Sequence, residues 1–351
     1  MTHIVPKVLG CILVCIIALT LFSELYVKYE QYLNVANNLV VSVEVPVSRK
    51  VSSFFSLYTN NDVLKKQNSD VIPPRDNNLT AHQLCDNTSL CIAPNFHHET
   101  RFKLAPDYKM VNCLVHKSMS TVIAGIMCYL YNRSRFVQVD KQINMTEWEK
   151  ATLCRSDNGL QTIKQLQRRT NSTDFENWSL SMITRDPVDR FISGYVDRCI
   201  RVADPPNPCN RCDKNLTCFV ISEYDRFMSQ TLKRKLVNTF EDRHFYPQNW
   251  RCGLDKMRDK YEFIRYSSDP TKELMTDLFK VAKKQGVPKS ELEYIEQELT
   301  KNRKTSHTTA YSPAREFYEK RLRENPFLME YVVKMFYHDF IILGYPFPPG
   351  F

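Results

Sequence analysis

The sequence predicts an α/β domain with a central, mainly parallel sheet flanked by helices. Three observations predict it. Short apolar runs of strand length alternate along the chain with longer stripes of helical period. Hydrophobic residues make up 43% and aromatic residues 12%, enough for a real core and against wholesale disorder. Two of the apolar runs also end in a polar turn that leads directly into a helical pattern.

The elements follow in order. Residues 8–23, VLGCILVCIIALTLFS, carry no charge and lie beside Lys7, and Leu25–Val27 extend the apolar stretch past Glu24. With no small-x-small cleavage site after Ala18, residues 8–27 read as an uncleaved signal anchor, 1–7 as a cytoplasmic tail and the bulk as lumenal. A cleaved signal peptide is the competing reading. Residues 28–100 read as a lumenal stem, with mixed charge, Asn pairs, the VIPPRDNN break and the LCDNTSLC loop. Within this region Tyr26–Val45 suits a helix that mediates self-association, so a homodimer is one expected assembly.

The alternating pattern begins at residue 101 and runs to 351. Met110–Val115 reads as a buried strand, and Thr121–Tyr131, apolar at 122, 123, 126, 127 and 130, as a helix facing the core. Leu180–Thr184 is a second strand, and Asp186-Pro187 is a strong helix start. YEFIRY, Tyr261–Tyr266, is a third strand. Leu274–Gln285 and Glu291–Lys301 read as helices, and Pro313 onward as a helix pair ending in YVVKMFYHDFIILGYPF.

Charge and cysteines bound the setting. Lys and Arg number 48 against 39 Asp and Glu, a net charge of +9. That fits a nucleic acid, an anionic membrane or an acidic glycan, or a basic excess scattered over solvated surface. Asn-x-Ser/Thr sequons at Asn78, Asn87, Asn132, Asn144, Asn171, Asn177 and Asn215 suggest a glycosylated lumenal surface. Outside the anchor, Cys85, Cys91, Cys113, Cys128, Cys154, Cys199, Cys209, Cys212, Cys218 and Cys252 form an even set that permits disulfides. Cys209-Asn-Arg-Cys212 has half the spacing of a zinc knuckle without a matching second half, so a disulfide-tied loop is the preferred reading.

The chemistry sits in the polar turns. In HKSMST, residues 116–121, a strand gives way to a helix whose free N–H groups and dipole favour an anion. Ser118, Ser120 and Thr121 add hydroxyls and Lys117 a mobile positive charge. The turn lacks the Gly-x-x-x-x-Gly-Lys spacing of a nucleotide-triphosphate loop, which disfavours a nucleotide kinase or hydrolase. Alone, it reads more readily as serine and threonine capping an ordinary helix than as a ligand site. The second turn, RDPVDRFIS, sets Arg185 at a strand end and Ser193 on the following helix. The bland reading is an ion pair of Arg185 with Asp186 or Asp189. Together the two turns point to one nucleotide with two separated anionic groups.

HKSMST after a strand, RDPVDRFISGYVDRC, DRHFYPQ…YEFIRY and FYHDFIILGYPF, in this order over roughly residues 100–348, resemble the Golgi carbohydrate sulfotransferases. The closest branch is the chondroitin 4-O-sulfotransferase/HNK-1 sulfotransferase group, in a nematode-type version. The resemblance implies a P-loop-like sulfotransferase fold with the catalytic domain over 101–351. It implies transfer of sulfuryl from 3′-phosphoadenosine-5′-phosphosulfate to a glycan hydroxyl, with chondroitin GalNAc 4-O as the expected acceptor. It also implies a type II Golgi membrane protein with no metal and no nucleic-acid partner.

Residues carry over individually. Lys117, Ser118, Met119, Ser120 and Thr121 match the loop that holds the 5′-phosphosulfate, with Lys117 stabilising the bridging oxygen as it leaves. Arg185 and Ser193 match the grip on the 3′-phosphate. Arg303, with Lys304 and Thr305, is a further basic patch for donor or acceptor. For the base, His244 in EDRHFYPQ matches a family histidine, with Arg243 beside it to steer an acidic sugar. His307, His116, His338 and the carboxylates Glu147 and Asp242 stay open. RCIRVADPPNPCNRCDKNLTC reads as a disulfide-tied insertion that departs from the branch. A glycan-binding protein that keeps the fold without turnover is the alternative from another class.

Overall fold

The computed structural model describes residues 78–351 apart from 87, 95–99, 146–152, 155, 203–208, 236, 238, 267–272, 302–308 and 311. All of these lie in the compact unit Gln67–Phe351. The expected anchor, most of the stem, Glu147, Arg303, Lys304, Thr305 and His307 fall outside the described residues. Among the described residues no helix is long and apolar enough to cross a membrane.

The strands are β1 (Phe102–Ala105), β2 (Met110–Cys113), β3 (Gly159–Leu160), β4 (Ser179–Arg185) and β5 (Tyr261–Tyr266). The helices are α1 (Ala81–Cys85), α2 (Ser120–Tyr131), α3 (Arg133–Gln138), α4 (Ile163–Thr170), α5 (Pro187–Tyr195), α6 (Leu216–Leu232), α7 (Asp242–Phe245), α8 (Leu254–Met257), α9 (Glu273–Lys284), α10 (Lys289–Lys301), α11 (Pro313–Arg323) and α12 (Pro326–Leu343).

The sheet order is β3-β1-β2-β4-β5. β2, β4 and β5 run parallel, as the alternating pattern predicts, but β1 pairs antiparallel with both β2 and β3. The sheet is therefore mixed, which corrects the expectation of a mainly parallel one. The cause is local: only the four residues 106–109, a helical turn at Pro106–Tyr108 and its cap Lys109, separate β1 from β2. That connection makes a hairpin and is too short for the crossover a parallel pair needs. β1 escapes a sequence reading because it carries a charge inside. Lys103 is buried and donates to Cys154 O at 2.6 Å and to Asn158 Oδ1 at 3.3 Å.

Both faces of the sheet are covered. Met110, Ile183 and Ile264 pack with α2, α9 and α10 on one face. Val111, Leu180, Met182 and Tyr261 point to the other, with Leu254, Cys252 and Leu343. The alternation is the period-two geometry of strands, and all seven residues of β4 are buried. A third cluster joins α5, α6, α7 and α12 through Phe191, Phe219, Phe245 and Phe336. Gly194 permits close packing there: a Cβ on it would lie 2.9 Å from Phe245 Cε1.

All ten cysteines outside the anchor are paired, as Cys85–Cys91, Cys113–Cys252, Cys128–Cys154, Cys199–Cys209 and Cys212–Cys218. The insertion is thus tied as expected, with Cys209 and Cys212 bonded to different partners. The folded unit also reaches back before residue 101. Ala81 and Leu84 pack on Val333 and Tyr337, Ile92 N donates to Lys334 O at 2.9 Å, and Trp250 Nε1 donates to Ala93 O at 3.0 Å. Of the sequons, Asn78, Asn132, Asn171 and Asn177 are exposed. Asn215 is half-buried and caps α6 by accepting from Cys218 N at 3.0 Å.

Candidate active site

β2 and β4 are parallel neighbours, so the turns that leave their carboxyl ends lie side by side. In the first, Lys117 and Met119 have φ of 67° and 56°, the left-handed region that favours glycine. Holding two residues with side chains there costs about 1–2 kcal/mol each, and such strain concentrates at functional sites. Met119 is the N-cap of α2 and no side chain caps the helix. The capped-helix reading of HKSMST therefore fails, and the first-turn amides of α2 are left to a ligand or solvent. The half-buried hydroxyls of Ser120 and Thr121 make no hydrogen bond among the described residues.

Lys117 sends its ammonium to Asp197 in an ion pair whose side chains are only 7% and 2% exposed. Burial outweighs the attraction of Asp197 and lowers the Lys117 pKa to about 8, with Arg198 and Arg185 adding to the depression. Asp197 lies on a π-helical turn, Val196–Arg201, that continues α5, and its second oxygen is 3.5 Å from Arg201 Nη1. π-turns inside helices often mark functional sites because the extra residue re-aims side chains.

In the second turn Arg185 is buried and donates through Nη1 to Lys117 O at 2.9 Å. Its guanidinium lies 4.9 Å from the Tyr266 ring centroid, and its Nε is buried without a hydrogen-bond partner. The ion pair expected as the bland reading is not made. Asp186 instead caps α5 by accepting from Asp189 N at 2.9 Å, and Asp189 pairs with Arg323 at 2.7 Å and Arg315 at 3.3 Å. Ser193 is buried and its hydroxyl lies 3.2 Å from that of Thr309, just ahead of α11. Arg315 is mostly buried with an unpartnered Nη1.

Gln248 joins the two turns. Its Oε1 accepts from Arg185 N at 3.1 Å and from Ser118 Oγ at 3.5 Å, while its Nε2 donates to Arg185 O at 2.8 Å. Asp339 on α12 fixes this residue by accepting from the backbone N–H of Gln248 and of Asn249, both at 2.8 Å. Gln248, Asp197, Thr309 and Arg315 are not singled out by the sequence reading. Only the DRHFYPQ run hinted at Gln248.

Two buried imidazoles, His116 and His244, stand with ring centroids 4.7 Å apart. His244, on α7, contacts Phe240 O through Nδ1 at 2.8 Å. A carbonyl only accepts, so Nδ1 carries the proton and Nε2 keeps its lone pair. Burial, and then the Lys117 charge, push the His244 pKa well below the ordinary histidine value. Arg190, fully buried, holds this loop by donating to the carbonyls of His244, Phe245 and Tyr246 at 3.2, 2.9 and 2.7 Å. Burial pushes the His116 pKa well below the ordinary histidine value as well, with its neighbours His244 and Arg251 next in weight. It lies between Arg101 (3.4 Å) and Arg251 (3.5 Å).

The other candidate bases fare differently. Asp242 is fully buried and occupied, pairing with Arg226 and accepting from Thr239 Oγ1 at 2.7 Å. His338 stacks edge-on against Tyr337, which bonds to His82 of α1 at 2.9 Å.

The chain matches the Sulfotransferase family over residues 100–346. An uncharacterized Caenorhabditis elegans protein, C18B2.2, is 62% identical over 356 residues, covering 100% of both chains. The protein vep-2 of C. elegans is 40% identical over 74% of this chain and 81% of its own. The C. elegans carbohydrate sulfotransferase chst-1 is 28% identical over 72% of this chain and 78% of its own. No solved structure matches. A family match across nearly the whole α/β unit, with relatives aligned along most of their own length, makes this chain a member of the sulfotransferase family.

Proposed function

We propose that the chain transfers a sulfuryl group from 3′-phosphoadenosine-5′-phosphosulfate to a glycan hydroxyl, with chondroitin GalNAc 4-O as the acceptor position. The observation that carries this reading is the joint between the turns. Arg185 donates to Lys117 O at 2.9 Å and Gln248 bonds to both turns, so the two basic groups serve one ligand with two anionic ends. The residues suit the donor: uncapped α2 amides, free hydroxyls at Ser120 and Thr121, and a buried Arg185 Nε without a partner.

In this reading the Lys117–Thr121 turn cradles the 5′-phosphosulfate, and the Lys117 ammonium stabilises the charge that develops on the bridging oxygen. Arg185 and Ser193 hold the 3′-phosphate, with Arg303 as a further contact. His244 accepts the proton of the acceptor hydroxyl at Nε2, a role suited to a neutral imidazole fixed by its Nδ1–H bond. Positioning and electrostatics then do the chemistry, as in phosphoryl transfer. The name of the relative chst-1 supports a carbohydrate acceptor. The ten paired cysteines, the exposed sequons and the apolar run 8–23 support a type II Golgi membrane protein with a lumenal catalytic domain.

The test uses the purified full chain with radiolabelled sulfate donor and a panel of desulfated glycans. The expected result is transfer to chondroitin and calorimetric binding of adenosine 3′,5′-bisphosphate. No transfer to any acceptor, together with no binding of the bisphosphate, would falsify the enzymatic reading. Bisphosphate binding with transfer to a different glycan would move the acceptor alone.

A further inference from the structure

One aromatic ring beside His244 is exposed although the side chains it packs on, His244 and Arg198, are buried. Phe240 is 53% exposed, and its ring meets that of His244 edge-on at 4.8 Å. Its carbonyl is the acceptor that fixes the His244 tautomer. The Arg198 guanidinium covers the ring at 4.8 Å from the centroid. Arg198 is only 9% exposed, gives one N–H to Glu241 at 2.9 Å, and has a buried Nε with no partner. It belongs to the same π-helical turn as Asp197, the partner of Lys117, and its charge acts on both Lys117 and His244.

A singly exposed phenylalanine ordinarily needs no explanation. This one differs in being buttressed: a mostly buried arginine stacks on it, and a candidate base abuts its edge. Aromatic rings offer an apolar face to the C–H face of a sugar ring. A guanidinium with an unmet N–H offers charge-assisted hydrogen bonds to a carboxylate. The carboxylates nearby are already engaged, Asp197 by Lys117 and Arg201 and Glu241 by Arg198. Lys117, Arg198 and Arg201 together outnumber Asp197 and Glu241, so what remains here is a net positive charge beside an apolar face.

We infer that Phe240 and Arg198 form the acceptor subsite, Phe240 seating the sugar ring to be sulfated and Arg198 binding the carboxylate of an adjoining hexuronate. This rests on His244 being the base of a glycan sulfotransferase, since it places the reacting hydroxyl next to Nε2. The subsite selects hexuronate-containing chains over neutral ones.

The test measures binding of desulfated chondroitin oligosaccharides, and of the same oligosaccharides with carboxyls reduced to alcohols, to the full chain. Binding of adenosine 3′,5′-bisphosphate is followed in parallel. Wild type should prefer the carboxylate form by roughly tenfold or more, the weight of a charge-assisted hydrogen bond. Phe240→Ala should weaken both forms by about tenfold, and Phe240→Trp should retain them. Arg198→Gln should erase the preference, while Arg198→Lys, which keeps the charge and most of the packing, should keep part of it. Bisphosphate affinity should stay at the wild-type level in every variant.

Wild-type affinity of Phe240→Ala for both forms overturns the inference, as does an undiminished preference in both Arg198 variants. Failure of wild type to bind either oligosaccharide also overturns it. Loss of bisphosphate binding in wild type would instead sink the donor reading, while the oligosaccharide arms still decide the subsite.

Discussion

The two strand-to-helix turns hold their cations in opposite ways. Lys117 sits on strained backbone, at φ 67°, and its charge is already matched by Asp197. Arg185 ends a regular strand ahead of an Asp-capped, Pro-started helix. It is held by a carbonyl, a tyrosine ring and Gln248 rather than by a carboxylate. The difference fits the division of labour proposed for the two residues. A lysine held by a counter-ion can be handed to a new anion as charge develops, which is where stabilisation accelerates a reaction. An arginine fixed by neutral groups offers a standing positive charge to a group that does not change during the reaction.

The sharpest way to break this comparison is to remove each cation. Lys117→Ala should lower kcat by roughly a hundredfold to a thousandfold, the range for losing one charge-stabilising donor, measured by radiolabel transfer at saturating donor. Its affinity for adenosine 3′,5′-bisphosphate should fall much less. Arg185→Ala should do the reverse, weakening that bisphosphate by roughly tenfold to a hundredfold in calorimetry. Affinity for adenosine 5′-phosphate, which lacks the 3′ group, should be unaffected. Equal losses for both nucleotides would mean that Arg185 does not read the 3′-phosphate. A lesser effect is structural. Arg190→Met leaves three buried carbonyls of the His244 loop without donors, and should cost about 2–4 kcal/mol in denaturant unfolding.

How much of this was legible follows from where the information lies. β4, β5, α2 and α5 could be read because their apolar periods and the Asp-Pro start are local. Lys117 and Arg185 stood out as candidates because each ends a short apolar run that leads into a helix. β1 was hidden by its buried Lys103, whose partners Cys154 and Asn158 are remote in sequence. The mixed sheet followed from that omission. Asp197, Gln248 and Arg190 are ordinary polar residues until the fold sets them against Lys117, Arg185 and the His244 carbonyls. The strain at Met119 was hidden as well, because nothing in a methionine announces a left-handed backbone.

The smallest predicted effect tests whether Asp197 is the partner that keeps Lys117 charged. Lysine ordinarily titrates near 10.5, and Lys117 is lowered to about 8, so its ammonium is lost as pH rises through that value. Activity that depends on the ammonium should therefore show an alkaline limb in kcat/KM near pH 8, since that parameter reports the free enzyme. Stability has the opposite sign. Between about pH 8 and 10.5 the unfolded chain binds a proton at Lys117 that the folded chain does not, so this residue's contribution to stability rises with pH there. Asp197→Asn removes the attraction that opposes burial and should move the alkaline limb to lower pH, with a small loss near pH 6.5 that grows with pH through and above pH 8. A unit shift would give about a tenfold loss on the alkaline side, small beside removal of the lysine itself. An unmoved limb with a lowered melting temperature would mean that the pair is only a structural contact.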